Sequence, residues 1–348
     1  MLNCRTCYGL VIFLLIAGGS SLQARAGVHD GGVGACNQCH VMHADESGPI
    51  GDNPLLRGNN PSDLCLGCHA TAFGAVLGMD PLAPPPEMGA GNFVFLLEDN
   101  LNDGPDGMTN PISGDAAGHN INAPGYGLSS DPTYVTSPGG TYSSALMSCT
   151  SCHDPHGNSN YRFLRSPGNE QGGTIRFFYD APIATGLDLE FGGTESNGNH
   201  VAHISGMSLW CANCHYGYLA DHNDVTSGFE HPTDDAFDSD QIQNYNLYNG
   251  TANPNGGQIG TAYLAAVPFE AADNTISSTT GPTATSRLMC LTCHRAHATS
   301  APSAGRWDFK ISKLGDDGVV SGSYPIANPY LDPDQDPLCW KCHETGGG

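Results

Sequence analysis

The sequence predicts a mostly irregular fold: coil with short helices and few short strands, and no ordinary hydrophobic core. Three observations predict it. Cys-x-x-Cys-His occurs six times, starting at Cys36, Cys65, Cys149, Cys211, Cys290 and Cys339. Gly and Pro make up about a fifth of the 348 residues, above the usual share yet below the level that marks disorder. The intervals between motifs, such as Gly74 to Ser144, are rich in Gly, Pro, Asn and Ser and read as loops.

At the N-terminus, Arg5 precedes an apolar run from Tyr8 to Ala17, followed by small residues. Ala24-Arg25-Ala26 fits the small-x-small pattern at which secretory signals are cut. The run is too short to cross a bilayer as a helix. Residues 1–26 are therefore expected to be a cleaved signal peptide. Residues 27–348 are expected to form a single mature unit with no membrane span. Cys4 and Cys7, followed by Tyr8 and not His, leave with the signal. Loss of Arg5 and Arg25 makes a chain already at net charge −23 more acidic. Such a chain has no basic face to offer nucleic acid or an anionic membrane surface.

The other twelve cysteines form six pairs: Cys36/Cys39, Cys65/Cys68, Cys149/Cys152, Cys211/Cys214, Cys290/Cys293 and Cys339/Cys342. Each pair is followed at once by a histidine, in turn His40, His69, His153, His215, His294 and His343. Two thiols at this spacing add to the two vinyl groups of one porphyrin. The next residue then puts an imidazole on one face of its iron, which is the c-type attachment signature. Cysteine pairs also build zinc sites, but zinc does not require His after every pair. A disulfide scaffold is excluded on similar grounds, since no cysteine of the mature chain lies outside a motif. Six covalently bound haem c groups are expected. In a haem-centred unit the haems act as the core, and loops too long for an ordinary domain wrap them.

Each iron needs a ligand on its second face: His, Met or an open position. Nine histidines lie outside the motifs: His29, His43, His119, His156, His200, His203, His222, His231 and His297. His43, His156 and His297 each follow a motif histidine by three residues. A histidine so tethered sits near one haem and points away to ligate a neighbour. His119, in Gly-His-Asn, and His231, in His-Pro, occupy turn-like settings. These five are expected as distal ligands. His29 and His222 compete for the sixth place, with His200 and His203 as weaker candidates. All-His ligation makes the irons six-coordinate and low-spin, with potentials below those of His/Met cytochromes. Saturated irons leave no position for substrate, so the predicted role is electron transfer and not catalysis.

Short helical turns are expected to carry the motifs, with short strands near Phe93–Leu97 and Thr174–Phe178. The motif spacing is uneven and shows no repeat. Asp332, Asp334 and Asp336 alternate as calcium ligands do, but the Gly and distant Glu of an EF-hand are missing. They, and Asp103 and Asp106, read as solvated turns.

The flanking residues resemble a known group. Val28-His29, Cys36 through His43, Gly118-His119-Asn120, Pro138 through Tyr142 and Cys149 through Gly157 carry the likeness. So do Tyr161-Arg162-Phe163, Trp210 through His215, Asp221-His222-Asn223, His231-Pro232, Cys290 through Ala298 and Leu338 through His343. Together they resemble the outer-surface hexahaem cytochromes of metal-reducing bacteria that polymerise into conductive filaments, the OmcS type. The resemblance implies a haem chain of alternating parallel-stacked and T-shaped pairs, running through a homopolymer on the outer cell surface. It implies that His43 ligates a haem of the adjacent subunit, the one on Cys290, Cys293 and His294. It favours His29 as the sixth distal ligand, with His222 in reserve. Other cytochromes or extracellular acceptors would be the electron partners. The chain is shorter than that type, chiefly in its loops, and His200 and His203 stand where the resemblance implies no ligand. The competing functions are a soluble periplasmic or surface electron shuttle and a multihaem reductase with one open iron.

Overall fold

Four of the helices among the described residues carry attachment motifs, and side-chain caps begin two of the helices, Pro61–His69 and Ser239–Leu247. The computed structural model describes residues 36–41, 56–70, 76–78, 89–100, 114–168, 175–188, 195–220, 233–317 and 326–343. The expected signal segment, His29, His43, His222, His231, Asp103 and Asp106 lie outside the described residues. Six α-helices occur among the described residues: α1 (Cys36–Cys39), α2 (Pro61–His69), α3 (Gly114–Ala117), α4 (Cys149–Cys152), α5 (Met207–Ala220) and α6 (Ser239–Leu247). Motifs five and six sit instead on 3₁₀ turns, Cys290–Thr292 and Leu338–Lys341.

Local chemistry sets these boundaries. The Asn60 side chain accepts the Asp63 N–H (2.9 Å) and caps α2, and Pro61 supplies the first helical φ. The α5 helix has no side-chain cap of its own. Its first N–H, on Met207, is donated to Oε1 of the buried Glu270 from a distant loop (2.6 Å). The helix path breaks at His215, at φ −117° and ψ 42°. Asp238 and Gln241 close a capping box on α6.

One short antiparallel ribbon, β1 (Ile183–Thr185) on β2 (Ala202–Ser205), is the only sheet among the described residues. The strand expected at Phe93–Leu97 is a 3₁₀ run, Phe93–Asn100. Phe93, Val94 and Phe95 are buried in succession, whereas a half-buried strand would turn every second one outward. The Asn92 side chain starts the turn by accepting the Val94 N–H (3.0 Å). Residues 175–178 are irregular too. There the Phe178 and Tyr179 N–H groups are donated to Asn213 Oδ1 on α5 (2.7 and 3.0 Å) and not to a neighbouring strand.

Apolar packing is split in two. One cluster gathers Phe237, Tyr245, Tyr263, Phe269, Trp307 and Leu338 around the last two motifs. The other gathers Leu66, Phe93, Val94, Phe95, Ile121, Leu128 and Ala298 around motifs two and three. Neither is a large core. The Asp332–Asp336 segment is a turn, as expected: the Asp332 side chain accepts the Asp334 N–H, and Lys313 pairs with Asp336 (3.3 Å).

Candidate haem-attachment sites

A metal-binding histidine is oriented when one ring nitrogen donates to a neighbour and the other is left for the metal. Three motif histidines meet this requirement in the same way. His153 Nδ1 donates to the Arg162 carbonyl (2.8 Å), His215 Nδ1 to Pro138 (2.8 Å) and His294 Nδ1 to Ser303 (2.9 Å). Outside the motifs, His119 Nδ1 donates to Ala296 (2.7 Å). Each clamp fixes the tautomer and leaves Nε2 with its lone pair. Burial lowers all four imidazoles below their ordinary pKa, His215 to about 4, so they are neutral, the form that ligates. Burial takes His297 down to about 3.

Ring separations pair these histidines. A metal–imidazole bond is about 2.0 Å long, so imidazoles on opposite faces of one metal have ring centres about 6.2 Å apart. His40 and His156 are 6.3 Å apart and nearly parallel, at 7°. His119 and His215 are 5.9 Å apart, and His153 and His297 are 6.4 Å apart. Each pair joins one motif histidine to one expected distal histidine. Among the described residues no imidazole faces His294 at this separation, and the ring against it is Phe309, edge-on at 5.5 Å.

Cysteine contacts put the motifs in order. Cys65 meets Cys149, and Cys211 meets Cys290. In each pair the mutual thiol hydrogen bond raises the first, aided by burial, and lowers the second, Cys290 to about 7. Cys39 lies within electrostatic reach of Cys68, Cys152 of Cys214, and Cys342 of Cys293. The motifs are thus neighbours in the sequence one to six. First cysteines touch at the steps two–three and four–five. Second cysteines approach at the steps one–two, three–four and five–six. The steps alternate with a period of two.

That period reflects a repeat the uneven spacing conceals. Cys152–Arg165 and Cys293–Arg306 both read Cys-His-x-x-His, eight residues, Arg. In both, the Arg backbone N–H returns to the second cysteine carbonyl (2.9 and 2.7 Å). Both place two left-handed residues, Arg162-Phe163 and Ser303-Ala304, where the carbonyl that holds the histidine is aimed. The first cysteine of each donates its N–H to a serine three residues before the preceding motif, Ser62 or Ser208. Arg57 N–H returns to the Cys39 carbonyl (2.9 Å) beside a His40–Leu56 bridge, so motif one is a third copy with a longer loop.

The two weaker candidates separate. His200 has both ring nitrogens against carbonyls, Val201 (3.0 Å) and Ser278 (2.9 Å), and stacks on Tyr263, so neither nitrogen is left for iron. His203 is buried on β2, with Nδ1 unpartnered, and is lowered to about 3 by burial and the neighbouring Arg306. Among the described residues no three or more His, Cys, Asp or Glu side chains come together as a metal cluster. Paired thiols with a clamped, neutral imidazole beside them fit a c-type haem.

The comparisons with known proteins agree. Residues 144–171, which hold motif three and Arg165, match a family model described as the doubled CXXCH motif. The C-type cytochrome OmcS of Geobacter sulfurreducens is 30% identical, over 96% of this chain and 99% of that protein. The solved outer membrane cytochrome S filament of Geobacter sulfurreducens has the same fold, at TM-score 0.71 and 25% identity. It matches 90% of this chain and 99% of its own. A cryo-EM structure of the OmcS nanowires aligns at TM-score 0.67 and 24% identity, with the same coverage. The chain belongs to the OmcS family of multihaem c-type cytochromes, and its work is electron transfer and not catalysis.

Proposed function

We propose that the mature chain, residues 27–348, is secreted after loss of residues 1–26, binds six haem c groups and polymerises into an extracellular filament that conducts electrons to external acceptors. The six cysteine pairs and their following histidines would hold the groups. His29, His43, His119, His156, His231 and His297 would complete the second faces. Bound haem iron supplies reversible one-electron exchange between its ferric and ferrous states. The chain's residues do the rest. The backbone carbonyls of Arg162, Pro138 and Ser303 orient the imidazoles and raise their basicity, which favours the ferric state. Two histidines per iron exclude substrate.

One observation carries the filament reading. In two copies of the repeat, the histidine three residues after the motif histidine faces the motif two places upstream: His156 faces His40, and His297 faces His153. His43 holds the same place in the first copy. Two places upstream of motif one lies motif five of a preceding subunit, and among the described residues the ring against its His294 is Phe309 and not an imidazole. The register therefore supports His43 as the ligand that joins subunits. Replacing His43 by Ala is expected to leave secreted six-haem monomers without filaments. Persistent filaments in that variant would overturn the reading.

A further inference from the structure

We propose that Arg165 and Arg306 are matched positioning residues, which clamp the attachment turns of motifs three and five and hold a fixed positive charge that raises the reduction potential of the irons there. The inference rests on the reading that each motif carries a haem.

The two arginines occupy the same place in two copies of the repeat. Arg165 Nε donates to the Thr150 carbonyl (2.7 Å), and Arg306 Nε donates to the Leu291 carbonyl (2.7 Å). Thr150 and Leu291 are the first residues between the paired cysteines. Each arginine also ties its backbone N–H to the second cysteine carbonyl of the same motif. The attachment turn is thus gripped at two points by one residue. Arg306 adds a third bond, from Nη1 to the Ala265 carbonyl (3.2 Å), and the Arg165 carbonyl accepts Nε1–H of Trp210 on α5 (2.9 Å).

Both side chains are almost wholly buried, at 0% and 3% exposure. A fork of fixed N–H donors suits this task, because guanidinium is planar, weakly hydrated and permanently charged. Charge in a dry interior acts on its neighbours with little screening. Arg165 lies within electrostatic reach of Cys152 and His153 and of the buried Asp154 carboxylate. Arg306 lies within reach of Cys293 and His294 and of Glu195 and Arg295, so each cation acts on its motif partly offset by an acid. A fixed cation beside an iron disfavours its ferric form, the more positive of the two, and so raises the potential. Burial and electrostatics are established controls of haem potential. In the first copy Arg57 keeps the backbone bond, but its side chain is exposed, where water screens the charge.

The test is a spectroelectrochemical titration of the mature full-length protein, preceded by mass spectrometry to count attached haems. Fewer than six haems in the wild type would fault the underlying reading and not the arginine assignment. With six attached, Arg165→Gln and Arg306→Gln are each expected to shift about one-sixth of the haem absorbance change to lower potential. Arg165→Lys and Arg306→Lys, which keep the charge and lose the fork, are expected to titrate like the wild type. Unchanged curves in both six-haem Gln variants would overturn the proposal. Should a Gln variant not mature, Arg165→Met or Arg306→Met takes its place: a downward shift in the six-haem protein supports the charge, and a wild-type curve overturns it.

Discussion

The backbone N–H of His119 donates to the carbonyl of His297 (2.9 Å), so the expected distal ligands of motifs four and three are braced on one another. His119 Nδ1 reaches the next carbonyl back, Ala296, and Gly118 bridges to Ala298. Two neighbouring sites therefore share one rigid seam.

The seam closes only because residue 118 is glycine. A Cβ there would lie 2.2 Å from the His297 carbonyl oxygen and 2.6 Å from the Ala298 Cα. Both are backbone atoms, which cannot swing aside. Gly118→Ala is expected to cost about 1–3 kcal/mol of stability, the usual range for overpacking. It should also perturb two irons together. Electron paramagnetic resonance should show about one-third of the haem signal altered, whereas a change confined to one-sixth would argue against a shared seam.

His297→Met and His200→Gln separate an expected ligand from a structural histidine. Methionine at 297 would leave His153 paired with a thioether, which raises the potential of one iron. About one-sixth of the titration should move upward, with a new sulfur-to-iron absorption in the near infrared. His200 has both nitrogens on carbonyls, so His200→Gln should lower stability and leave every potential in place. A potential shift from the second variant would contradict the assignment.

Glu270 links stability to pH. Burial raises its carboxyl above the ordinary 4.5, and the Met207 and Gly206 N–H groups pull it only partly back. A folded value above the unfolded one means that the contribution is complete below the unfolded pKa. It is lost as pH rises through the raised folded value. Gln at 270 can still accept the Met207 N–H but cannot ionise. Denaturation midpoints of Glu270→Gln should therefore fall less than those of the wild type as pH rises from 4.5 into the neutral range. Parallel curves would show that Glu270 does not titrate on folding.

The candidate attachment residues were legible because covalent chemistry imposes a fixed spacing, and no packing alternative produces Cys-x-x-Cys-His six times. His156 and His297, each opposite another motif histidine, were legible as candidates from their place three residues after a motif histidine. Their partners were not, since the step of two motifs depends on how Ser62, Ser208 and the returning arginines fold the copies together. The recurrence of Cys-His-x-x-His, eight residues and Arg could have been found by aligning residues 152–165 with 293–306. Unequal gaps between motifs hid it. Phe93–Leu97 misled because a short apolar run has no period by which to tell a strand from a 3₁₀ turn, and the Asn92 side chain decided the outcome.

One register, repeated at motifs one, three and five, would carry ligation both within the chain and across the subunit boundary. A cryo-electron microscopy map of haem-staining filaments sheared from the cell surface tests it most directly. His156 should lie opposite His40, His297 opposite His153, and His43 of one subunit opposite His294 of the next. Discrete particles, or filaments in which His43 ligates an iron of its own chain, would contradict it.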